Sequence, residues 1–307
     1  MTCGQNGPLL VMVWARMKTA RDWKTFYAHE RERLGEAGLL ACLDRADALG
    51  LPDRLRGAGA VIFPHTRLET SGELAAAAAI AAVRSGGGTI LALGVLHGAR
   101  VEDAGLMAAA RDSDARARKI MRRVHGPGAP GDRGHWEEEF SLDGFAALLA
   151  LAAQREGRPP PRLVARYPFL TGEHPADLPG LEELLTLRAK PGETFLVATA
   201  DPIHHGVGYG TSPDTLRPRD APETTGWARA NAQAGFDRLA ARDISGFLAH
   251  AADAKSDFRD PGPVLTRLLV GDLRATVHDL RLVDYADVLA APEPTWVAGA
   301  LATLHTA

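Results

Sequence analysis

Histidines recur where buried strands are expected to end. His65 lies two residues past the apolar run Ala60-Val61-Ile62-Phe63, and His97 follows Thr89-Ile90-Leu91-Ala92-Leu93. His204 and His205 follow Thr194-Phe195-Leu196-Val197-Ala198-Thr199, after the dipeptide Asp201-Pro202. Neutral imidazole is the commonest metal ligand and also suits acid–base work near neutral pH. In open α/β sheets, ligands bind in the crevice beyond the carboxyl ends of the strands. The chain has 11 histidines but only two cysteines, Cys3 and Cys42. Two cysteines build neither a disulfide framework nor a thiolate zinc site. Any metal site must therefore come from histidines and carboxylates.

The positioning elements are legible as alternating strands and helices. Short, continuous apolar runs are how strands buried on both faces read. Arg162-Leu163-Val164-Ala165 is another such strand, and Thr295–Leu304 a last one. Helices are expected over Ser71–Val83, 103–123, 222–252 and 262–274, and from Ser141-Leu142-Asp143, which can cap, to Gln154. Ser85-Gly86-Gly87-Gly88 is a helix stop. Strand–helix–strand order predicts an α/β fold, one domain over 1–307, with a largely parallel central sheet and helices on both faces.

The 307 residues carry 35 basic against 38 acidic side chains, with no basic excess for nucleic acid. No apolar run reaches the roughly 18 residues of a membrane helix. The run Leu9–Trp14 is too short for a signal-peptide core. A cytoplasmic protein is expected.

At the strand-end histidines the sequence resembles the Memo family. Phe63-Pro64-His65, then Ser71-Gly72 and an alanine run, is similar to its "P-H-A-G-Y-x-Y-S-G-x-x-A-A". Leu93-Gly94-Val95-Leu96-His97 is similar to "L-G-P-S-H", and Asp201-Pro202-Ile203-His204-His205-Gly206 to "S-D-x-x-H-x-G". Glu137 to Asp143 is similar to its acidic "D-E-H-S-x-E" stretch, and Lys24-Thr25-Phe26-Tyr27 to "G-x-F-Y-P". The ordered set spans roughly residues 20–305. That family shares the fold of class III extradiol dioxygenases, which cleave catechol rings with non-haem Fe(II).

The resemblance implies that His65 and His97 are metal ligands and that His204 is the acid/base residue. The family's third ligand is a cysteine in "C-G-R-H-P-x-G-V-L". The matching stretch here is Asp257-Phe258-Arg259-Asp260-Pro261-Gly262-Pro263-Val264-Leu265. Arg259 and Pro261 keep register, so Asp257 stands at the cysteine position; Asp260 takes it if the register slips. Two histidines and a carboxylate form the facial set of Fe(II) oxygenases. The competing role for Asp257 is to cap the helix near Pro261.

The pocket wall departs from the family. Phe140 and Phe145 stand where it carries histidines, and Arg67-Leu68 replaces a Gly-Tyr pair. Arg67 either binds a substrate carboxylate through its fork or pairs with Glu69 or another surface acid. Asp201 or His205 could orient His204, although Asp-Pro is also a common turn. Tyr209 hydrogen-bonds substrate or packs at its loop base.

The implied activity is an Fe(II) oxygenase acting with dioxygen on a small catechol- or aminophenol-like molecule, carboxylated if Arg67 binds it. Copper and zinc are alternative metals. A non-catalytic metal- or peptide-binding protein and a zinc hydrolase are alternative functions. Neither nucleic acid nor membrane is an expected partner; self-association stays open.

Other signals receive plain readings. Gly206-Val207-Gly208-Tyr209-Gly210 lacks the strand and helix of a dinucleotide loop. Glu137-Glu138-Glu139 reads as a solvated helix entry before an acid/base cluster. His29, His125, His135, His174, His250, His278 and His305 are expected to be ordinary surface or loop residues.

Overall fold

The computed structural model describes residues 20–97, 101–172, 174–189 and 192–306. Cys3 and the run Leu9–Trp14 lie outside them. In chain order the elements begin with α1 (Ala20–Ala48), α2 (Leu51–Arg54), β1 (Ala60–Phe63), α3 (Leu68–Arg84) and β2 (Thr89–Leu93). Next come α4 (Val101–Arg111), α5 (Ala115–Met121), β3 (Arg123–His125), α6 (Asp143–Arg155) and β4 (Arg162–Phe169). Then follow α7 (Leu181–Arg188), β5 (Thr194–Thr199), β6 (Ile203–Gly206), α8 (Pro222–Ala240) and α9 (Ile244–Asp253). The chain closes with α10 (Pro261–Arg267), β7 (Leu273–Asp284), α11 (Ala286–Leu289) and β8 (Thr295–Thr306).

The strands form one mixed sheet in the order β3-β4-β2-β5-β1-β8-β6, with β7 also on β8. β4, β2, β5 and β1 are parallel, the centre expected from their apolar runs. The margins are antiparallel: β3 on β4, and β8 against β1, β6 and β7. Largely parallel therefore describes the centre and not the whole sheet.

Side chains alternate across β1 and divide the core in two. Val61 and Phe63 face the cluster formed with α1, α3 and α6, whereas Ala60 and Ile62 face α8, α9 and α10. Phe63 stacks on Phe145 with centroids 4.5 Å apart. Such a pair adds about 0.5–1.5 kcal/mol beyond its area and braces the chain just before His65.

Register explains how separate strands reach one point. β1 pairs with Ala302–Leu304 of β8, and β6 with Thr295–Ala298 of the same strand. Both run antiparallel to β8, so β6 continues the line of β1 beyond its carboxyl end. His204 is thereby carried to the end of the sheet where His65 emerges.

Several expected elements need correction. The helix expected over 103–123 breaks into α4 and α5, because Ser113 takes a positive φ of 81° and Asp114 caps anew by accepting from the Ala117 amide. The 222–252 helix breaks likewise at Arg242, φ 58°, with Asp243 capping α9. The 262–274 helix stops at Arg267, and its end belongs to β7. Ser141 does not cap α6: its hydroxyl donates to the Val95 carbonyl and accepts from the Val95 amide. It thus ties the entry of α6 to the segment that carries His97.

Candidate metal centre

Each of the three strand-end histidines is held through Nδ1. His65 Nδ1 lies 3.0 Å from Thr199 Oγ1, and Thr199 pairs with Phe63 across β5 and β1. His97 Nδ1 lies 3.0 Å from Glu139 Oε1, and its backbone amide donates to Oε2 at 2.7 Å. His204 Nδ1 lies 2.8 Å from the Lys255 carbonyl. A carbonyl only accepts, and so does the ionised Glu139. His97 and His204 therefore carry hydrogen on Nδ1, which leaves Nε2 as the ring atom open to a metal once it is unprotonated, and the Thr199 hydroxyl can hold His65 the same way.

The Nε2 atoms converge on Asp257. Its Oδ2 is 3.2 Å from His65 Nε2 and 3.9 Å from those of His97 and His204. Asp201 Oδ2 is 3.7 Å from His65 Nε2. Donor atoms of His65, His97 and Asp257 lie within 4.8 Å of one another, as do those of Asp201, His204 and Asp257. Asp257 Oδ1 accepts from the Asp201 amide at 2.9 Å, whereas Asp257 Oδ2 and Asp201 Oδ1 are buried without a hydrogen-bond partner. Orphaned buried carboxylate oxygens are costly unless a cation answers them. Imidazole nitrogens beside such oxygens suit a divalent transition metal, so the residues fit the ion that the resemblance implies.

Position separates the two carboxylates. Asp260 turns away and pairs with Arg111 at 2.7 Å. Asp257 does not cap α10, whose N-cap is Asp260, itself without a side-chain capping bond.

The charges are tightly linked. Burial opposes charge on His97, but Glu139 and Asp257 prevail and lift its pKa to about 10. His65 also ends above its ordinary value, with Asp201 and Asp257 outweighing burial. The three imidazoles overcome burial at Asp257 and hold it well below the carboxylate range. Asp201 goes the other way, to about 7, raised by burial and then by Asp257 despite His65. Burial lowers His204, and Asp257 offsets only part of this. With no cation bound, the carboxylates favour a proton on His97 and bias His65 the same way; a divalent ion can displace such protons.

An aromatic cavity of ≈ 200 Å³ opens over these groups, walled by Trp23, Tyr27, Phe140, Tyr209 and Tyr285. Phe140 stacks on His97 at 4.6 Å and on Tyr27 at 5.0 Å. The hydroxyls of Tyr27 and Tyr285 are 2.6 Å apart, and Thr66 Oγ1 is 2.7 Å from the latter. Tyr209 lies edge-on to His204 at 4.9 Å.

Not every expected site residue arrives. Arg67 pairs with Glu69 at 3.0 Å and Glu30 at 3.5 Å and does not line the cavity. His205, one residue from His204 on a strand, points the other way. Its Nε2 accepts from the Arg217 amide at 2.9 Å, and its ring stacks on Trp296 at 4.6 Å. Burial, then the charges of Arg217 and Lys255, push its pKa down to about 4.

Sequence reasoning passed over Glu139, Trp23 and Tyr285. Glu139 is buried rather than a solvated helix entry. Its signal was position: two residues before Ser141, which reaches Val95 in the strand-to-His97 segment. The surface reading of His125 and His135 also fails. His125 is fully buried, 2.9 Å from Asp132 and 2.8 Å from the Met121 carbonyl, while buried His135 lies 3.0 Å from Asp103.

No protein-family model matches the sequence, and no curated protein matches it significantly.

Proposed function

We propose that the protein is a non-haem Fe(II) dioxygenase with a class III extradiol, Memo-like fold, acting in the cytoplasm on a catechol- or aminophenol-like molecule. The observation that carries this reading is the convergence of three oriented imidazole Nε2 atoms on Asp257 Oδ2, a buried oxygen without a hydrogen-bond partner. His65, His97 and Asp257 would hold the ion. Fe(II) in such a set supplies Lewis acidity and open positions where two adjacent substrate heteroatoms and dioxygen meet.

The chain's own residues do the rest. His204 Nε2 faces the same point and is neutral at physiological pH, so it can take a proton from a substrate hydroxyl. The Lys255 carbonyl fixes the ring and favours the imidazolium that forms. Asp201, buried with Oδ2 3.7 Å from His65 Nε2 and its pKa raised to about 7, can hold or give up a proton near neutral pH beside the imidazoles. Phe140, Trp23 and Tyr27 offer flat apolar faces to an aromatic ring and exclude water. The paired Tyr27 and Tyr285 hydroxyls supply a donor to a substrate oxygen.

The reaction balances without an external reductant. One ring carbon–carbon bond next to the hydroxyls and the O–O bond of dioxygen break, two carbon–oxygen bonds form, and both oxygen atoms enter the product. The test is oxygen uptake by anaerobically Fe(II)-loaded protein offered a panel of catechols and aminophenols. Uptake with ring opening supports the reading. Absence of uptake across the panel, or turnover with zinc and no oxygen, sinks it.

A further inference from the structure

His204 walls two cavities. One is the aromatic cavity over Asp257; the other, of ≈ 360 Å³, lies beside it and is lined by Arg217, Trp227, Asn231, Asp253 and Lys255. We propose that this second cavity is a subsite for a carboxylate carried on a tether by the substrate, with Arg217 and Lys255 as its determinants. The catechol or aminophenol head belongs to the function proposed above; the tethered carboxylate is the new element.

Arg217 is built to hold still. Its guanidinium lies over the Trp227 ring, 4.7 Å from the centroid. Its backbone is fastened on both sides: the amide donates to His205 Nε2 at 2.9 Å, and the carbonyl accepts from Trp296 Nε1 at 2.9 Å. A guanidinium held over an aromatic ring can still offer its N–H fork to both oxygens of a carboxylate. Lys255 lines the same cavity, on a left-handed turn with φ 53°. The same residue gives its carbonyl to His204, so its position is tied to the proposed acid/base group.

Among the described residues neither cation pairs with a carboxylate, whereas Arg67 is paired twice. Asp253 also lines the cavity, leaving two cations against one anion. Asn231 also lines the cavity, and its Oδ1 is buried without a hydrogen-bond partner. Among the described residues, no lysine or arginine lines the aromatic cavity, whereas Arg217 and Lys255 line the cavity on the other side of His204.

The experiment is calorimetric titration of the metal-free protein with catechols bearing a carboxylate on tethers of one to three methylenes, and with their primary amides. At least one acid is expected to bind roughly tenfold tighter than its amide, the scale of one charge-assisted hydrogen bond. Arg217→Gln and, separately, the exposed Lys255→Gln should each erase most of that preference, while Arg67→Gln keeps it. Equal affinities for acid and amide throughout, including no detectable binding of either, overturn the proposal. So does a preference that survives both Arg217→Gln and Lys255→Gln. Because the readout needs neither iron nor turnover, a carboxylate preference without oxygen uptake would remove the dioxygenase reading and leave the subsite standing.

Discussion

Glu139 grips His97 twice, taking its ring Nδ1 on one carboxylate oxygen and its backbone amide on the other. The same carboxylate accepts from the amides of Phe140 and Ser141, so one side chain shapes the loop and fixes the imidazole. Losing the charge should leave His97 less basic and less well aimed. Glu139→Gln is expected to weaken Fe(II) binding about 10–100-fold. Anaerobic titration of protein with unchanged circular dichroism checks this.

Metal uptake should release protons. His97, with its pKa near 10, is protonated in the metal-free protein at pH 8, and His65 is biased the same way. A ligand must be neutral, so the ion has to displace these protons. Affinity is expected to fall as pH drops, and binding heat at pH 8 should vary with the buffer's ionisation enthalpy. Heats independent of buffer would contradict this charge arrangement.

His204→Gln separates acid–base work from metal binding. The variant is expected to keep Fe(II) affinity within a few-fold while kcat falls about 10²–10⁴-fold. A loss of metal equal to that of His65→Ala would make His204 a ligand instead.

His205 gives a stability signature on the opposite side of its strand. Its pKa in the folded protein is about 4, below that of an exposed imidazole, so the unfolded chain binds the proton more readily. Its contribution is fully present above about pH 6.5 and is lost as pH falls toward 4, with a slope of at most about 1.4 kcal/mol per pH unit. Urea midpoints across this range should fall more steeply in the wild type than in His205→Gln.

Gly206 lets β6 end against the loop before β8. Its φ is +110°, and a Cβ there would run into the Pro294 carbonyl. Gly206→Ala is expected to cost roughly 2 kcal/mol or more, from strain and overpacking together. Thermal unfolding measures it.

The central strands and their histidines were legible because β1, β2 and β5 are unbroken apolar runs that bury both faces. Asp257 became a candidate only through a family motif, since nothing local marks a carboxylate 56 residues after Asp201 as its neighbour. β7 was hidden by its own irregularity. A bulge between Val277 and Asp279 shifts the side-chain alternation by one, so its sequence does not read as one strand. α1 escaped notice because charged residues are scattered along it and Gly35 interrupts the helical backbone at φ 58°. With α1 went Trp23, and so most of one aromatic wall.

Arg67 and His205 stand away from the cavity for different reasons. Of the two roles expected for Arg67, pairing with Glu69 is the one formed, and Glu30 on α1, distant in sequence, joins it. Proximity to His204 suggested His205, yet strand alternation sends adjacent side chains to opposite faces. His125 looked loose beside a Gly/Pro-rich stretch, but Asp132 within that stretch closes over it.

The central claim is that His65, His97 and Asp257 form one Fe(II) site. Anaerobic Fe(II) titration of the wild type beside Asp257→Ala tests it most directly. One ion per chain in the wild type, with at least a hundredfold weaker binding in Asp257→Ala, is the predicted result. Equal affinity in the two proteins, or no Fe(II) binding by the wild type, would contradict it.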